Sequence, residues 1–514
     1  MIEWNGGFLE GMMKQMGFAT EWISLVIYCI TSVSYTVSFN GGLCQGDPLS
    51  PYLFLICTEG FSALLNSAVQ MSNLRGVKVC RGCPTVTHLF FANDSIVFGD
   101  TNEIGGRVLL DILRRYESAL GQKINLDKLQ IFFSSNVSDN SCNQLVQMLG
   151  VRHSLCMERY LGLPTMVGRR KKDAFQYICD RMRIKVQSWR ARLLSQGGKE
   201  VFIRAVLQAI PTYSMSCFLL PKTLCTKLES IMSRFWWQKS STRKGMHWCN
   251  WVSLSLLKTY GGMGFKDIGK FNIVLLAKQG WRLVTNLDSL LGRIYKAKYY
   301  PHTSFWNATL GNNSSYAWKS IYAARKVLED GIGWRVGSGS QISVLQARWL
   351  PRWAGEKFKQ LLQTVGLIKC QNLLINQQRL GNLFTPMEAH AICCILLSIY
   401  TFEDKMVWCA DNSDIYTVHS GYRCLVESNI NDTTNTDYTR IYKKIWELNL
   451  LPKIKIAIWR FTYEYIPTDA NLYNRRISSS PICPNYGEAL ENFLHTLLMC
   501  GPAKNVWRSL GVAT

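Results

Sequence analysis

The chain has 514 residues, of which 47% are hydrophobic and 12% aromatic, and its formal net charge at pH 7 is +23. A chain of this length usually folds into two or three domains, and this apolar content excludes a largely disordered protein. The excess of lysine and arginine favours a polyanionic partner, and nucleic acid is the commonest soluble one.

The N-terminal sequence MIEWNGGFLEGMMKQ lacks the basic and apolar regions of a secretory signal. We therefore expect an intracellular protein, in the nucleus or the cytoplasm and not secreted, whose 18 cysteines are mostly reduced thiols. The longest apolar stretches noted, ISLVIYCI and AICCILLSIY, are too short to span a bilayer, so no membrane partner is expected.

Residues 1–150 mix strand-like and helix-like patterns, which predicts an α+β fold. SYTVSFNGG alternates as a strand does, whereas PYLFLICTEGFSALLNSAV places apolar residues at helical spacing after a proline. Cys80 and Cys83 form a single CxxC sequence without a second Cys/His pair nearby, and we interpret it as part of a loop rather than as a metal site.

The stretch HLFFANDSIVFGD, residues 88–100, predicts a hairpin. Two runs of strand-forming residues flank Asn93 and Asp94, a pair that tolerates the backbone geometry of a tight turn. Carboxylates on such a tip could hold the divalent cations of two-metal phosphoryl transfer. The side-chain amide of Asn93 offers only a neutral oxygen to a cation. Three interpretations of this hairpin are therefore open: a working metal site, a damaged metal site, or only a turn.

From Lys171 the apolar residues recur at steps of three and four, which predicts a helix that ends at Gly197-Gly198. Its intervening positions carry basic residues, among them Arg181, Lys185 and Arg190, and this face could contact an anion. A solvated basic face is the alternative.

The sequence from Phe235 onward is rich in tryptophan and glycine. Its aromatic residues could stack on bases, although tryptophan is more often part of a core. WRVGSGSQISV predicts a hairpin on Gly-Ser-Gly, and the polar residues 426–440 form the best candidate for a linker.

Several motifs resemble those of one known family. GGLCQGDPLSPYLFLICTEGFSALL, residues 41–65, resembles motif B of reverse transcriptases of the plant LINE type, the non-LTR retrotransposons, whose usual form is RGLRQGDPLSPYLF. FFAND occupies the place of the FADD box of that family, and GQKINLDKLQIFFS and RYLGLPTMVGRRKKDAF resemble the segments that follow it. The resemblance continues through nearly the whole chain.

The resemblance implies a partial right-hand polymerase palm without fingers, followed by a helical thumb, a connection region and a small helical module similar to the zinc-binding region of the family. The implied boundaries are residues 1–150 for the palm, 151–240 for the thumb, 241–425 for the connection, 426–440 for the linker and 441–514 for the zinc-binding-like module.

The resemblance also implies ligands and site residues. Mg²⁺ would be held by Asp94, with Asn93 as a weakened ligand. RNA template, DNA primer or an RNA–DNA duplex would be the partners, and dNTP the small substrate. The implied nucleic-acid contacts are Gln45, Gly46, Tyr160, Leu161, Gly162, Arg181, Lys185 and Arg190.

The C-terminal pattern of the family is CPxC, then His, then Cys. This chain keeps Cys483, His495 and Cys500 but has Tyr486 where the second cysteine belongs. A structural zinc site needs four nitrogen or sulfur ligands, and a phenol is a poor substitute. We therefore expect zinc binding that is weakened, or three unconnected side chains.

The departures from the family pattern bear on activity. The chain begins at MIEW, where the segment that carries the first metal-binding aspartate of the family ends, and FADD is altered at Asn93. We therefore expect a reverse transcriptase fragment that is catalytically inactive. The alternatives are an RNA-directed DNA polymerase with residual activity, a basic nucleic-acid-binding remnant without chemistry, and a relic without a selected role.

Overall fold

The computed structural model of the chain describes residues 6–31, 50–92, 94–120, 123–154, 159–188, 193–238, 245–338, 342, 402–428, 436–485, 487 and 489–511. The chain forms two compact units, each made of two segments. The first unit contains Met1–Val167 and Leu283–Gly311, and the second contains Gly168–Arg282 and Asn312–Thr514.

Helices and short strand pairs make up the first unit. Its strands pair antiparallel in two cases, His88–Phe91 with Asp94–Val97 and Arg159–Tyr160 with Leu163–Pro164, and parallel in one, Gln130–Ile131 with Arg152–His153. This mixture of helices and small sheets confirms the predicted α+β class. The helices are Gly6–Gln15, Thr20–Thr31, Ser50–Gln70, Glu103–Leu120, Asp139–Leu149 and Leu290–Tyr299.

The helix Ser50–Gln70 lies at the centre of this unit. Leu53, Cys57, Phe61 and Leu65 recur every fourth residue along one face and are buried, as the helical spacing in the sequence predicts. They pack in a core with residues from the helices Gly6–Gln15, Thr20–Thr31 and Glu103–Leu120: Leu9, Met13, Ile23, Val26, Ile112, Tyr116 and Leu120.

Part of that central helix, Pro51–Gln70, is long and apolar enough to cross a membrane by length and composition. This stretch is longer than the two apolar runs from which no membrane partner was expected. Since the core helix of a folded domain passes the same test and this helix buries a continuous face, packing within the unit explains its composition. Of the two shorter runs, ISLVIYCI contributes Ile23 and Val26 to the core, and AICCILLSIY lies outside the described residues.

The second unit is mostly helical, with one described strand pair, Ile332–Arg335 with Lys405–Trp408. Its largest buried side chains include Trp236, Trp318, Trp408 and Trp459, so the interpretation of these tryptophans as core is confirmed. The helices are Lys171–Ala174, Gln176–Gln187, Gln196–Phe202, Thr212–Cys217, Lys222–Trp237, Trp251–Ser255, Ile268–Thr285, Tyr316–Ala323, Arg325–Gly331, Val418–Glu427, Thr436–Glu447, Pro452–Thr462, Asp469–Asn474 and Gly501–Ser509.

The structure corrects the predicted end of the basic helix. Gly197 and Gly198 do not terminate a helix; they lie in the first turn of the helix Gln196–Phe202. The Ser195 hydroxyl caps this helix by accepting a hydrogen bond from the Gly198 N–H, at 3.2 Å. A Cβ atom on Gly197 would lie 3.2 Å from Pro452 Cβ, so the small residue permits a close approach. The preceding helix ends earlier, at Gln187.

Two other elements differ from the sequence-based expectation. The strand Ile332–Arg335 pairs with Lys405–Trp408, which is distant in sequence, and most of the predicted return strand after Gly-Ser-Gly lies outside the described residues. The candidate linker 426–440 overlaps two helices, Val418–Glu427 and Thr436–Glu447. The proposed domain boundaries stay predictions.

Gly331 ends a helix against the fully buried ring of Trp408. A Cβ atom at residue 331 would lie 2.2 to 2.9 Å from three atoms of that ring. We expect Gly331→Ala to destabilise the second unit by about 1–3 kcal/mol, because the indole has to move out of a packed core. Thermal unfolding would measure the loss. Gly168→Ala is the control, since nothing lies within 4 Å of its added Cβ, and an equal effect of both changes would contradict the steric argument.

Candidate metal and nucleic-acid sites

The hairpin that carries Asp94 forms as predicted, with its turn one residue earlier. Phe91 is paired with Asp94, so the turn lies between these two residues and Asp94 begins the second strand. Ala92 adopts a φ of 49°, in the left-handed region. Asn93 lies outside the described residues. The Asp94 side chain is exposed at the end of the hairpin, where a carboxylate can meet a cation from solvent.

A second hairpin brings Tyr160 near this carboxylate. Burial raises the pKa of the Tyr160 phenol, and the negative charge of Asp94 raises it further. Leu161 and Gly162 form the turn, with φ values of 51° and 76°. Two consecutive positive φ values are typical of the tight type I′ turn, in which glycine is favoured. The structure therefore places the predicted metal ligand and the predicted primer-contact residues in one neighbourhood.

The predicted contacts Gln45 and Gly46 lie outside the described residues, as does Arg190. Arg181 and Lys185 are exposed one helical turn apart on the helix Gln176–Gln187, whose buried face contains Ile178 and Met182. Arg183 makes a surface ion pair with Asp180 at 2.8 Å. The exposed side of this helix therefore presents cations that can reach a phosphate.

Cys483, His495 and Cys500 converge in the C-terminal region. Their possible ligand atoms all lie within 4.8 Å of one another, and all three residues are buried. Cys483 precedes a turn in which its carbonyl accepts a hydrogen bond from the Gly487 N–H, at 2.8 Å. The Cys500 N–H donates to the His495 carbonyl at 2.7 Å, which fixes the short segment between these two ligands.

The geometry of this cluster fits zinc. The Sγ atoms of Cys483 and Cys500 are 3.8 Å apart. Two sulfur ligands at about 2.3 Å from a tetrahedral Zn²⁺ would be separated by about the same distance, roughly 3.8 Å. The three side chains therefore lie close together rather than apart, although Tyr486 itself lies outside the described residues.

Asn485 is a further member of this neighbourhood that the sequence analysis missed. Asn485 is exposed, and its side chain lies close enough to the Cys500 thiol to oppose the effect of burial, which raises the pKa of that thiol. Its position directly before Tyr486, in the segment expected to supply the fourth ligand, was the available signal.

Cys80 and Cys83 lie in a turn, in agreement with the loop interpretation. The Cys83 N–H donates to the Cys80 carbonyl at 3.2 Å, and Gly82 has a φ of 81°. The two sulfur atoms are 2.9 Å apart, well below the separation of two ligands on one tetrahedral zinc ion. This geometry does not fit a zinc site.

Comparisons with known proteins match two regions of the chain. Residues 8–177 match the family model described as reverse transcriptase (RNA-dependent DNA polymerase), and residues 416–507 match the one described as zinc-binding in reverse transcriptase. The first match includes both hairpins, and the second includes Cys483, His495 and Cys500.

Three Arabidopsis thaliana proteins are similar to the chain. A putative ribonuclease H protein is 25% identical over 360 residues, which are 67% of this chain and 57% of that relative. An uncharacterized mitochondrial protein is 41% identical over 146 residues, or 28% of this chain and 92% of the relative. A second uncharacterized mitochondrial protein is 50% identical over 59 residues, which are 12% of this chain and 48% of that relative. The chain thus spans little more than half of the first relative.

The two matched regions keep part of the family motifs, with Asn93 in the FADD box and Tyr486 in the zinc-binding pattern as departures. The relative that is covered almost completely is 41% identical. The chain belongs to the plant retrotransposon-type reverse transcriptases, with a reverse transcriptase domain and a zinc-binding region of that family.

Proposed function

We propose that this chain binds an RNA template with a DNA primer, or an RNA–DNA duplex, and that it is inactive in nucleotide transfer. The observation that carries the proposal is the pair of residues at the hairpin end, where an exposed Asp94 follows an asparagine. In this proposal the site still binds nucleic acid, but one negative charge expected at the metal site is absent.

The loss of that charge explains the proposed inactivity. Two-metal nucleotide transfer needs oxygen ligands with enough negative charge to hold two cations close together. When Asn replaces a carboxylate, one full charge is removed from a site whose groups act as a unit, and such losses typically cost orders of magnitude in rate. Mg²⁺, which Asp94 would hold, therefore binds weakly in this proposal.

The binding function is supported by charge and placement. The net charge of +23 attracts a polyanion, and Arg181 and Lys185 are exposed on one side of their helix. In this proposal residues 1–150 are the palm and residues 151–240 the thumb, with Tyr160, Leu161 and Gly162 at the primer end. Gln45 and Gly46 would contact the template or the nascent pair, and an intracellular location follows from such partners.

A primer-extension assay with labelled dNTP, in Mg²⁺ and in Mn²⁺, tests the inactivity. We expect the native chain and Asp94→Ala to give the same background on a primed RNA template. Asn93→Asp restores the missing charge, so a gain of incorporation in that variant would assign the loss to this position. Incorporation by the native chain that Asp94→Ala abolishes would contradict the proposal.

A salt titration of duplex binding tests the other half. We expect affinity for an RNA–DNA duplex to fall steeply with salt, and the double variant Arg181→Glu/Lys185→Glu to lower the logarithmic salt slope by about 1 for each lost phosphate contact. Lys326→Glu is the control, because this exposed lysine of the second unit lies on another helix. Equal losses of affinity for the duplex in both variants would indicate general charge attraction. If the native chain does not bind the duplex at all, a relic without a selected role would be favoured.

Zinc binding is a second proposed function, supported by the spacing of Cys483, His495 and Cys500. The two thiolates and the imidazole would hold the ion, and its role would be to fix the fold of the C-terminal region.

A further inference from the structure

Cys80 and Cys83 are free thiols in a turn of the first unit. They belong neither to the proposed nucleic-acid contacts nor to the proposed zinc ligands. We propose that this pair is a reversible disulfide site, which is oxidised by thiol–disulfide exchange with a small-molecule disulfide such as glutathione disulfide. The distance between the two sulfur atoms, the unequal exposure of the two thiols and the groups beside them support this role.

The backbone of the turn brings the two sulfur atoms together. The Cys83 N–H donates to the Cys80 carbonyl at 3.2 Å, and Val77 and Val86 pair on either side through two hydrogen bonds of 2.9 Å. The Cα atoms at the ends of such a β-turn are less than about 7 Å apart, a separation that a disulfide can bridge. The Sγ atoms are 2.9 Å apart, so they need to approach by only about 0.9 Å to form a bond. The disulfide can therefore form with the turn in place.

The two thiols differ in their access to solvent. Cys80 is half-buried, whereas Cys83 is only 5% exposed and its thiol donates to the Ile294 carbonyl at 3.7 Å, in the helix Leu290–Tyr299. An oxidant from solvent therefore reaches Cys80 first, and Cys83 lies in position to attack the mixed disulfide that results. Because protein covers Cys83, this internal attack is favoured over a reaction of the Cys83 thiol with a second oxidant molecule.

The groups beside Cys80 favour the oxidised form at equilibrium. The hydrogen bond with Cys83 and then burial raise the pKa of the Cys80 thiol, and the positive charge of Lys298 opposes them. Stabilisation of a thiolate favours the reduced form of a dithiol and makes its disulfide a strong oxidant. Since the fold does not lower the pKa of Cys80, the disulfide can accumulate in the presence of reduced glutathione.

The reaction consists of two exchanges. The Cys80 thiolate attacks one sulfur of glutathione disulfide, the S–S bond of the oxidant breaks, and one glutathione leaves as a thiolate that takes a proton from solvent. Cys83 gives its proton to solvent, attacks the Cys80 sulfur of the mixed disulfide and displaces the second glutathione in the same way. In total the two cysteines lose two electrons and two protons, and glutathione disulfide gains them as two molecules of reduced glutathione.

Peptide mapping of the full chain measures this modification. The purified chain would be equilibrated at fixed reduced glutathione with increasing glutathione disulfide, quenched with acid, alkylated and digested with trypsin. Cleavage after Lys78, Arg81 and Arg107 separates the two cysteines, so the disulfide is detected as residues 79–81 joined to residues 82–107. We expect the folded chain to be half oxidised at a concentration of glutathione disulfide at least about tenfold lower than the chain in urea, because the fold holds the thiols together.

Two variants test the order of the exchanges. Cys83→Ser should stop at the mixed disulfide, with glutathione attached to residues 79–81, whereas Cys80→Ser should react at Cys83 at least about tenfold more slowly than Cys83→Ser reacts at Cys80. Cys57 is the internal control, because it is 1% exposed and should stay unmodified in the folded chain.

Two results for the native chain would overturn the proposal. The first is that both thiols remain open to alkylation in the folded chain at concentrations of glutathione disulfide that oxidise the chain in urea. The second is that the folded chain stops at the mixed disulfide on Cys80, since Cys83 would then not reach it. Equal rates of reaction for Cys80→Ser and Cys83→Ser would contradict the assignment of Cys80 as the attacking thiol.

Discussion

Removal of zinc is expected to lower the free energy of unfolding of the C-terminal region by about 4 kcal/mol. This value compares the zinc-free protein with the protein at a free zinc concentration of about 1,000 times the dissociation constant. The reason is that Cys483, His495 and Cys500 come from three short segments, held together mainly by local hydrogen bonds. Without the ion, two thiols and an imidazole remain buried together without the metal–ligand bonds that would hold them in place.

Hydrogen exchange would locate this effect. The backbone N–H groups of Cys483, Gly487 and Cys500 donate to carbonyls within the region, at 2.7 to 2.9 Å. Their exchange should become faster by about a thousandfold after EDTA treatment, which is the same free energy expressed as a rate ratio. Amides of the helix Ser50–Gln70 in the other unit should be unaffected.

The matched variants test the cause. Cys500→Ser should exchange rapidly with or without zinc, whereas Cys409→Ser should behave as the native chain, because Cys409 is an exposed cysteine that belongs to no ligand group in the described residues. Protection that survives EDTA in the native chain would mean that packing alone holds the ligands in place.

Local patterns predicted the first hairpin well because their information is local. The strand-forming runs on both sides of Asn93 specify a turn over a few residues, whereas the hairpin at Tyr160 was not predicted from the sequence. The exact turn residues were wrong by one at the first hairpin. The register there is set by pairing of Phe91 with Asp94, which places Ala92, a residue without a preference for positive φ, in the left-handed region.

The prediction was wrong where a contact between residues distant in sequence lies next to the element. A pair of glycines favours a helix end, yet Gly197 lies in the first turn of a helix, where Pro452, more than two hundred residues away, approaches it closely. The strand after Gly331 likewise pairs with Lys405–Trp408, which is distant in sequence. Neither partner can be identified from a single sequence, since both depend on how the second unit packs.

The metal cluster shows the same division. Cys483, His495 and Cys500 could be named because the family resemblance implies a CPxC, His and Cys pattern in this part of the sequence. The proximity of Asn485 to the Cys500 sulfur could not be predicted from the sequence, because it depends on a turn closed by Gly487. The neighbourhood of Asp94 and Tyr160 also needed the structure, since two separate hairpins meet there.

Glu229 gives the last prediction, and no motif marks it. Its carboxylate accepts a hydrogen bond from the Ile268 N–H at 2.9 Å, at the start of the helix Ile268–Thr285. Burial raises the pKa of Glu229 to about 7, against the lowering effect of that hydrogen bond, and the charge of Asp267 raises it further. The folded chain therefore binds this proton more tightly than the unfolded chain does.

The sign of the pH dependence follows from this shift. The contribution of Glu229 to stability is fully present below its unfolded pKa of about 4.5 and is lost as the pH rises through about 7. A difference of this size corresponds to about 3 kcal/mol. Glu229→Gln keeps an oxygen for the Ile268 N–H and has no charge to desolvate. The variant should therefore gain stability relative to the native chain as the pH rises, by up to about 3 kcal/mol between pH 4.5 and 8.

Thermal unfolding of both proteins at a series of pH values would measure this difference. Glu427→Gln is the control, because Glu427 is exposed at the end of the helix Val418–Glu427 and its removal should leave the pH profile unchanged. A difference between Glu229→Gln and the native chain that stays constant across this range would mean that Glu229 is not protonated preferentially in the fold. If the difference in stability between the two proteins grows with pH, the carboxylate of Glu229 makes the second unit less stable at neutral pH than it would be with glutamine. An uncharged amide could accept the hydrogen bond from the Ile268 N–H equally well.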